Sequence, residues 1–138
     1  MARRLTRRPD WEQRLHEFVA TAFGKPYAWG KHDCVLFCFN EIRAVTGRDF
    51  GRGVRGKYST RLTAAKHLDK LGHATLEAFF DALLPEKPIG FAQRGDIVLA
   101  DDGIPAVCVG EFALSTAEDV DGLHRVPPAQ WVKAWAVG

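Results

Sequence analysis

The hydrophobic period of this chain changes once, near Pro85, and that change limits the fold more than any single motif. From Trp11 to Leu84 the apolar residues recur at helical spacing. After Pro85 they fall in short runs rich in valine and aromatics, broken by turn pairs such as Asp102-Gly103 and Asp121-Gly122. Helices first and strands afterwards predict an α+β domain, with N-terminal helices packed on a C-terminal, mostly antiparallel sheet.

The first helix is expected to open on a capping box at Asp10 and Gln13. It runs through Trp11, Leu15, Phe18, Val19 and Phe23 until Gly24-Lys25-Pro26 stops it. The second spans Asp33 to Thr46 and is closed by Gly47. Its apolar residues lie on nearly every side, the signature of a helix buried in a core. A third, Ser59 to Leu71, places Ala64, Ala65, Leu68 and Leu71 on one side, and a fourth covers 76–84. Strands are predicted at 96–100, 106–109, 112–115, 123–126 and 131–137, and in the last of these at least one of Trp131 and Trp135 is expected to meet a partner or cover the sheet edge. The run Gly51-Arg52-Gly53-Val54-Arg55-Gly56 matches GxGxxG letter for letter, but a helix precedes it where a dinucleotide site needs a strand. It reads as a flexible loop.

With 138 residues and 46% apolar content, the chain can bury a real core as one domain. No stretch approaches 18 apolar residues, so no membrane span is expected. Arg3, Arg4, Arg7 and Arg8 mark residues 1–9 as a basic arm ahead of a single domain over 10–138. No apolar stretch follows them, which reads against a secretory signal. The net charge of +2 becomes −2 once these four arginines are set aside, so basicity is local. The arm is expected to be solvated or to touch a protein partner; nucleic acid is not an expected partner. Three cysteines, an odd number, point to reduced thiols rather than a disulfide scaffold.

The chemistry concentrates at Tyr27-Ala28-Trp29-Gly30-Lys31-His32-Asp33-Cys34. A thiol at a helix N-terminus feels the positive end of the backbone dipole, which favours thiolate and marks Cys34 as the candidate nucleophile. Such a nucleophile needs a base within hydrogen-bond reach. His124, on a late strand, and His32, beside Cys34 in sequence, are the candidate bases. His16, His67 and His73 fall on or after surface helices and read as solvated. Cys34 and Cys38 share a helical face, and Cys108 shares a strand side with Ala106. If that side faces the helix, Cys34, Cys38 and Cys108 with His32 would make a three-Cys, one-His metal set. Buried reduced thiols are the plainer reading, and no cofactor is expected.

Two sets of motifs resemble known families. Tyr27-x-Trp29-Gly30, Asp33-Cys34 opening a buried helix, and Gly95-Asp96-Ile97-Val98-Leu99 opening the sheet resemble the NlpC-like branch of the papain fold. These are cell-wall peptidases with a catalytic His leading the second strand. The whole chain is similar to small tail-assembly proteins of siphophages and prophages. They pair Trp-Gly-x-x-Asp-Cys with Gly-x-Tyr-x-Thr (here Gly56-Lys57-Tyr58-Ser59-Thr60) and a Trp-x-Val-Gly-like end (Trp135-Ala136-Val137-Gly138). The departure lies in the strand Ala106-Val107-Cys108-Val109-Gly110, which puts Ala106 where the imidazole belongs. The resemblance therefore implies a papain-like fold whose activity is lost and a structural role in a tail tip or baseplate, among other tail proteins. Assembly would take place in the host cytoplasm and the final place would be the virion. The alternative is an active thiol hydrolase of peptidoglycan peptides, with Cys34 as nucleophile and its own backbone N–H among the oxyanion donors.

Overall fold

Pro85 divides four helices from six strands in the computed structural model, among the described residues 2–138. Helix α1 (Trp11–Ala22) starts where expected but without the capping box. Asp10 makes no side-chain cap, because its carboxylate pairs with Arg14 at 2.8 Å, and Gln13 bonds Glu17 instead. Helix α2 (Cys34–Thr46) has Asp33 as its N-cap, accepting from the Leu36 N–H at 2.9 Å. Its C-cap, Gly47, has φ +87°, a left-handed value that suits glycine. Nine of its thirteen residues are buried, Leu36, Phe37, Phe39, Ile42 and Val45 completely. Each such side chain contributes roughly 1.5–3 kcal/mol by leaving water, so α2 is the axis of the core.

Helices α3 (Arg61–Lys70) and α4 (Leu76–Leu83) start at threonine caps, Thr60 and Thr75. Thr60 and Thr63 form a reciprocal box. The GxGxxG stretch is not a loose loop. Phe50–Gly53 is a 3-10 turn capped by Asp49, and Arg55 is held by Asp49 and Asn40.

The strands are β1 (Glu86–Lys87), β2 (Ile97–Ala100), β3 (Pro105–Cys108), β4 (Ala113–Ala117), β5 (Val120–Val126) and β6 (Trp131–Trp135). They form one sheet in the order β1-β6-β2-β3-β4-β5, with every neighbouring pair antiparallel. The α+β reading and its helix-then-strand order are therefore correct. The sheet is buried on both faces. Ile97, Leu99, Val107, Leu114 and Trp135 pack with α2 in the main core. Val98, Ala100, Ala106, Cys108, Ala113, Val126, Trp131 and Ala134 form a second cluster. Alternation along β2, β3 and β4 assigns these two sets to opposite faces, and a register shift between β2 and β6 lets Trp131 join Ala134 in the second.

Both sheet tryptophans are buried, so neither is exposed for the first of the two expected roles, meeting a partner or covering the sheet edge. The Trp131 indole donates to Val126 O and the Trp135 indole to Asp81. Lys133 lies beside Glu77, Asp81 and Glu86, tying α4 and β1 to β6. Its hydrogen bonds to Asp81 and Glu77 raise its pKa against the cost of burial.

The arginine arm is docked in part. The Arg7 guanidinium donates to Val137 O at 2.6 Å, to Arg94 O at 2.7 Å and to Asp96 at 3.1 Å. It also sits 4.2 Å over the Trp11 ring. Asp96 has no exposure and also accepts from Lys87 and from the Gln93 and Val137 backbone N–H groups. The Arg8 backbone N–H bonds Val45 O. Arg3 and Arg4 are exposed, whereas Arg7 and Arg8 are half-buried, so the solvated part of the arm is shorter than residues 1–9. Near this network Glu41 is fully buried, and neither carboxylate oxygen has a partner. Burial pushes its carboxyl well above the usual range, against the opposing pull of Arg7.

Candidate functional site

The two sequence motifs around Cys34 and Tyr58 fold into one interlocked structure. Gly30 has φ +81°, and a Cβ there would lie 2.1 Å from the Tyr58 carbonyl oxygen, so no larger residue fits. Its carbonyl accepts from the Gly56 N–H, and its own N–H donates to Asp33 Oδ2. The same Asp33 oxygen accepts the Tyr58 hydroxyl at 2.7 Å, while Oδ1 caps α2. Asp33 thus joins the loop before α2 to the loop before α3 through three hydrogen bonds. Trp29 packs edge-on between Tyr27 and Tyr58. Burial, and then the bond to Asp33, hold the Tyr58 hydroxyl in its protonated form.

This frame positions Cys34 beside a pocket of about 760 Å³. The aromatic trio and the N-terminal turn of α2 make one wall, and the apolar side of α3 makes another. The segment Asp102–Ile104 and the β4–β5 turn complete it. Thr116 lies in this lining at 3% exposure, and its hydroxyl oxygen has no hydrogen-bond partner. At the edge of the pocket Arg61 pairs with Glu118 at 3.4 Å.

The helix start does not make Cys34 a thiolate. Burial is the largest influence and pushes the thiol up to about 12, with the Asp33 and Asp102 carboxylates acting in the same direction. The Val35 and Cys34 backbone N–H groups pull the other way and lose. A free thiol near ~8.5 is a few per cent ionised at neutral pH. With the folded thiol raised to about 12, its thiolate fraction at neutral pH is far smaller still.

Neither candidate base corrects this. His32 is buried at 8% exposure, packed edge-on to Phe37, and its Nε2 has no partner. Burial and the nearby Lys25 lower its pKa, so it stays neutral, and it is not among the pocket residues. His124 does line the pocket, but its Nδ1 is also without a partner. His67, expected to be solvated, lines the pocket too and its Nε2 contacts Gly53 O at 2.7 Å. His73 stacks on Phe79.

Two readings of β3 are corrected. Ala106 and Cys108 do not face α2; they belong to the cluster on the far side of the sheet, while Val107 faces the helix. Ala106 is therefore not the residue opposite the thiol. The β3-side residue that lines the pocket is Ile104, just ahead of the strand. It has no proton acceptor either. The same inversion separates Cys108 from Cys34 and Cys38, which lie in the α2 core. The three-Cys, one-His set is not assembled, and among the described residues no group of three or more His, Cys, Asp or Glu is arranged to hold a metal. All three thiols are free and buried.

Sequence reasoning found Cys34, Asp33, Tyr58 and the α3 side of this pocket. It passed over Thr116, Glu118 and Asp119, which approach from some eighty residues downstream with no local motif to announce them. Asp102-Gly103 was visible only as a turn.

No curated protein and no solved structure matches this chain. One family model does, over residues 6–137, which takes in the Cys34 pocket and both partners of the Arg7–Val137 contact. The chain belongs to the family described as Domain of unknown function (DUF6950).

Proposed function

We propose that this protein is a non-hydrolytic binding component built on an NlpC-like scaffold, working in the tail tip or baseplate of a phage or prophage. It assembles with other tail proteins in the host cytoplasm and travels in the virion. The observation that carries this reading is the state of Cys34: a buried thiol at a helix start, pushed up to about 12, with no imidazole bonded to it. The interlock of Gly30, Asp33 and Tyr58 gives the Trp-Gly-x-x-Asp-Cys and Gly-x-Tyr-x-Thr motifs a structural use that needs no catalysis. What the site retains is a shaped pocket.

The second reading, a thiol hydrolase of peptidoglycan peptides, is favoured by one observation: the pocket opens against Cys34. Iodoacetamide labelling at neutral pH, read site by site by mass spectrometry, separates the two. Cys34 should react at least about a hundred-fold more slowly than a free cysteine peptide, as its small thiolate fraction requires. Labelling faster than the free peptide, together with muropeptide cleavage that Cys34→Ala abolishes, would establish the hydrolase instead.

A further inference from the structure

The Cys34 pocket is built to be filled, and its chemistry is uneven in a way that selects an occupant. Helix α3 buries none of its ten residues, although Ala64, Ala65 and Leu68, with Leu71 at its C-cap, form an apolar side. That side lines the pocket. On the β4–β5 side the lining includes Thr116, Ala117, Glu118 and Asp119. Carboxylates dominate the rest of the lining: Asp102, Glu118 and Asp119 stand against the single guanidinium of Arg61. Asp33 is buried and already accepts from Gly30, Leu36 and Tyr58.

We propose that this pocket receives a peptide segment of a partner protein in which aliphatic or aromatic side chains are followed by lysine or arginine. The proposal rests on the binding role assigned above. Apolar side chains fill the space against α3 and the Trp29 ring. The cation sits among Asp102, Glu118 and Asp119. A volume of about 760 Å³ accommodates two or three such side chains. An acidic or nucleic-acid ligand meets the wrong charge at the same place.

Two blocked pentapeptides test this on the full chain, acetyl-Gly-Leu-Phe-Lys-Lys-amide and its counterpart with glutamate in place of both lysines. Titrated into ¹⁵N-labelled protein at low salt, the lysine peptide should shift the Thr116 amide and the Trp29 indole signals to saturation. Its Kd should be at least about ten-fold lower than that of the glutamate peptide, and the gap should narrow at high salt. The exposed double substitution Glu118→Gln, Asp119→Asn should bring the two affinities together without altering the fold. Ala65→Trp should abolish both, with its fingerprint spectrum checked for folding. Equal affinities in the unaltered protein would overturn the proposal, as would shifts mapping away from the pocket, or no saturable shift from either peptide up to about 5 mM. Mass spectrometry of the peptides after the titration keeps the two readings apart: cleavage would defeat the non-hydrolytic role and leave the charge preference standing.

Discussion

Helices α2 and α3 both open on a side-chain cap beside the same pocket, yet they are held in opposite ways. In α2 nine of thirteen residues are buried and the sheet packs along it; in α3 none of ten is buried. The first is fixed by the hydrophobic effect; the second is held at its start by the Thr60–Thr63 box and the Asp33–Tyr58 hydrogen bond just upstream, with Leu68 packed on the edge of the core. The contrast shows how one domain joins a rigid floor to a wall whose apolar side is left available.

Truncation of the core gives the widest separation. Phe39 has no exposure and packs against Phe50, Phe79 and Phe80, so Phe39→Ala should cost about 3–5 kcal/mol in urea unfolding. Leu68→Ala on α3, half-buried at the edge of the core, should cost about 1–2 kcal/mol. Comparable losses would mean that α3 is as deeply integrated as α2. The caps come next. Asp33→Ala removes the α2 cap and leaves Tyr58 and Gly30 without an acceptor, for about 2–4 kcal/mol. Thr60→Ala should cost only about 0.5–1 kcal/mol. A Thr60→Ala loss equal to that of Asp33→Ala would remove the asymmetry.

The smallest effect depends on pH. Because burial raises the folded Cys34 thiol to about 12, the unfolded chain ionises first, from about pH 8.5. The folded state then binds more protons than the unfolded one, so this contribution to stability is complete below about pH 8.5 and declines as pH rises towards 12. By pH 9.5 this loss should be about 1 kcal/mol, and Cys34→Ala should remove it while leaving the declines due to Cys38 and Cys108, whose thiols burial also raises. A profile unchanged by that substitution would show the thiol to be more accessible than its burial indicates. Glu41 acts in the same direction at lower pH. Its raised carboxyl stabilises the fold most in acid and less as pH climbs above the usual carboxylate range, so Glu41→Gln should stabilise at neutral pH.

How much of this was readable in the sequence depended on how local the cause was. Asp33, Gly47 and Pro85 act on their immediate neighbours, and the boundaries of α2 and the switch from helix to strand were predicted from them. The orientation of β3 was not readable. Period-two alternation assigns a face only when one face is polar, and Pro105–Cys108 is buried on both, so Ala106 and Cys108 carried no mark of the side they take. The two-residue strand β1 is too short to leave a pattern. Arg7 looked like part of a solvated cluster because its partners, Asp96 and Val137, stand 89 and 130 residues away. The Asp10 capping box failed because Arg14, one turn along, competes for the same carboxylate. In the pocket, the α2 side was legible as a motif and the Thr116 side was not, since a lone threonine in a strand looks the same whether or not it has a partner.

The Arg7 contact makes the first and last segments of this domain a single latch. One guanidinium holds Val137 directly and shares Asp96 with it, so neither segment can peel away without loosening the other. Fraying at one end is felt at once at the opposite end, and a linear chain behaves mechanically like a closed ring.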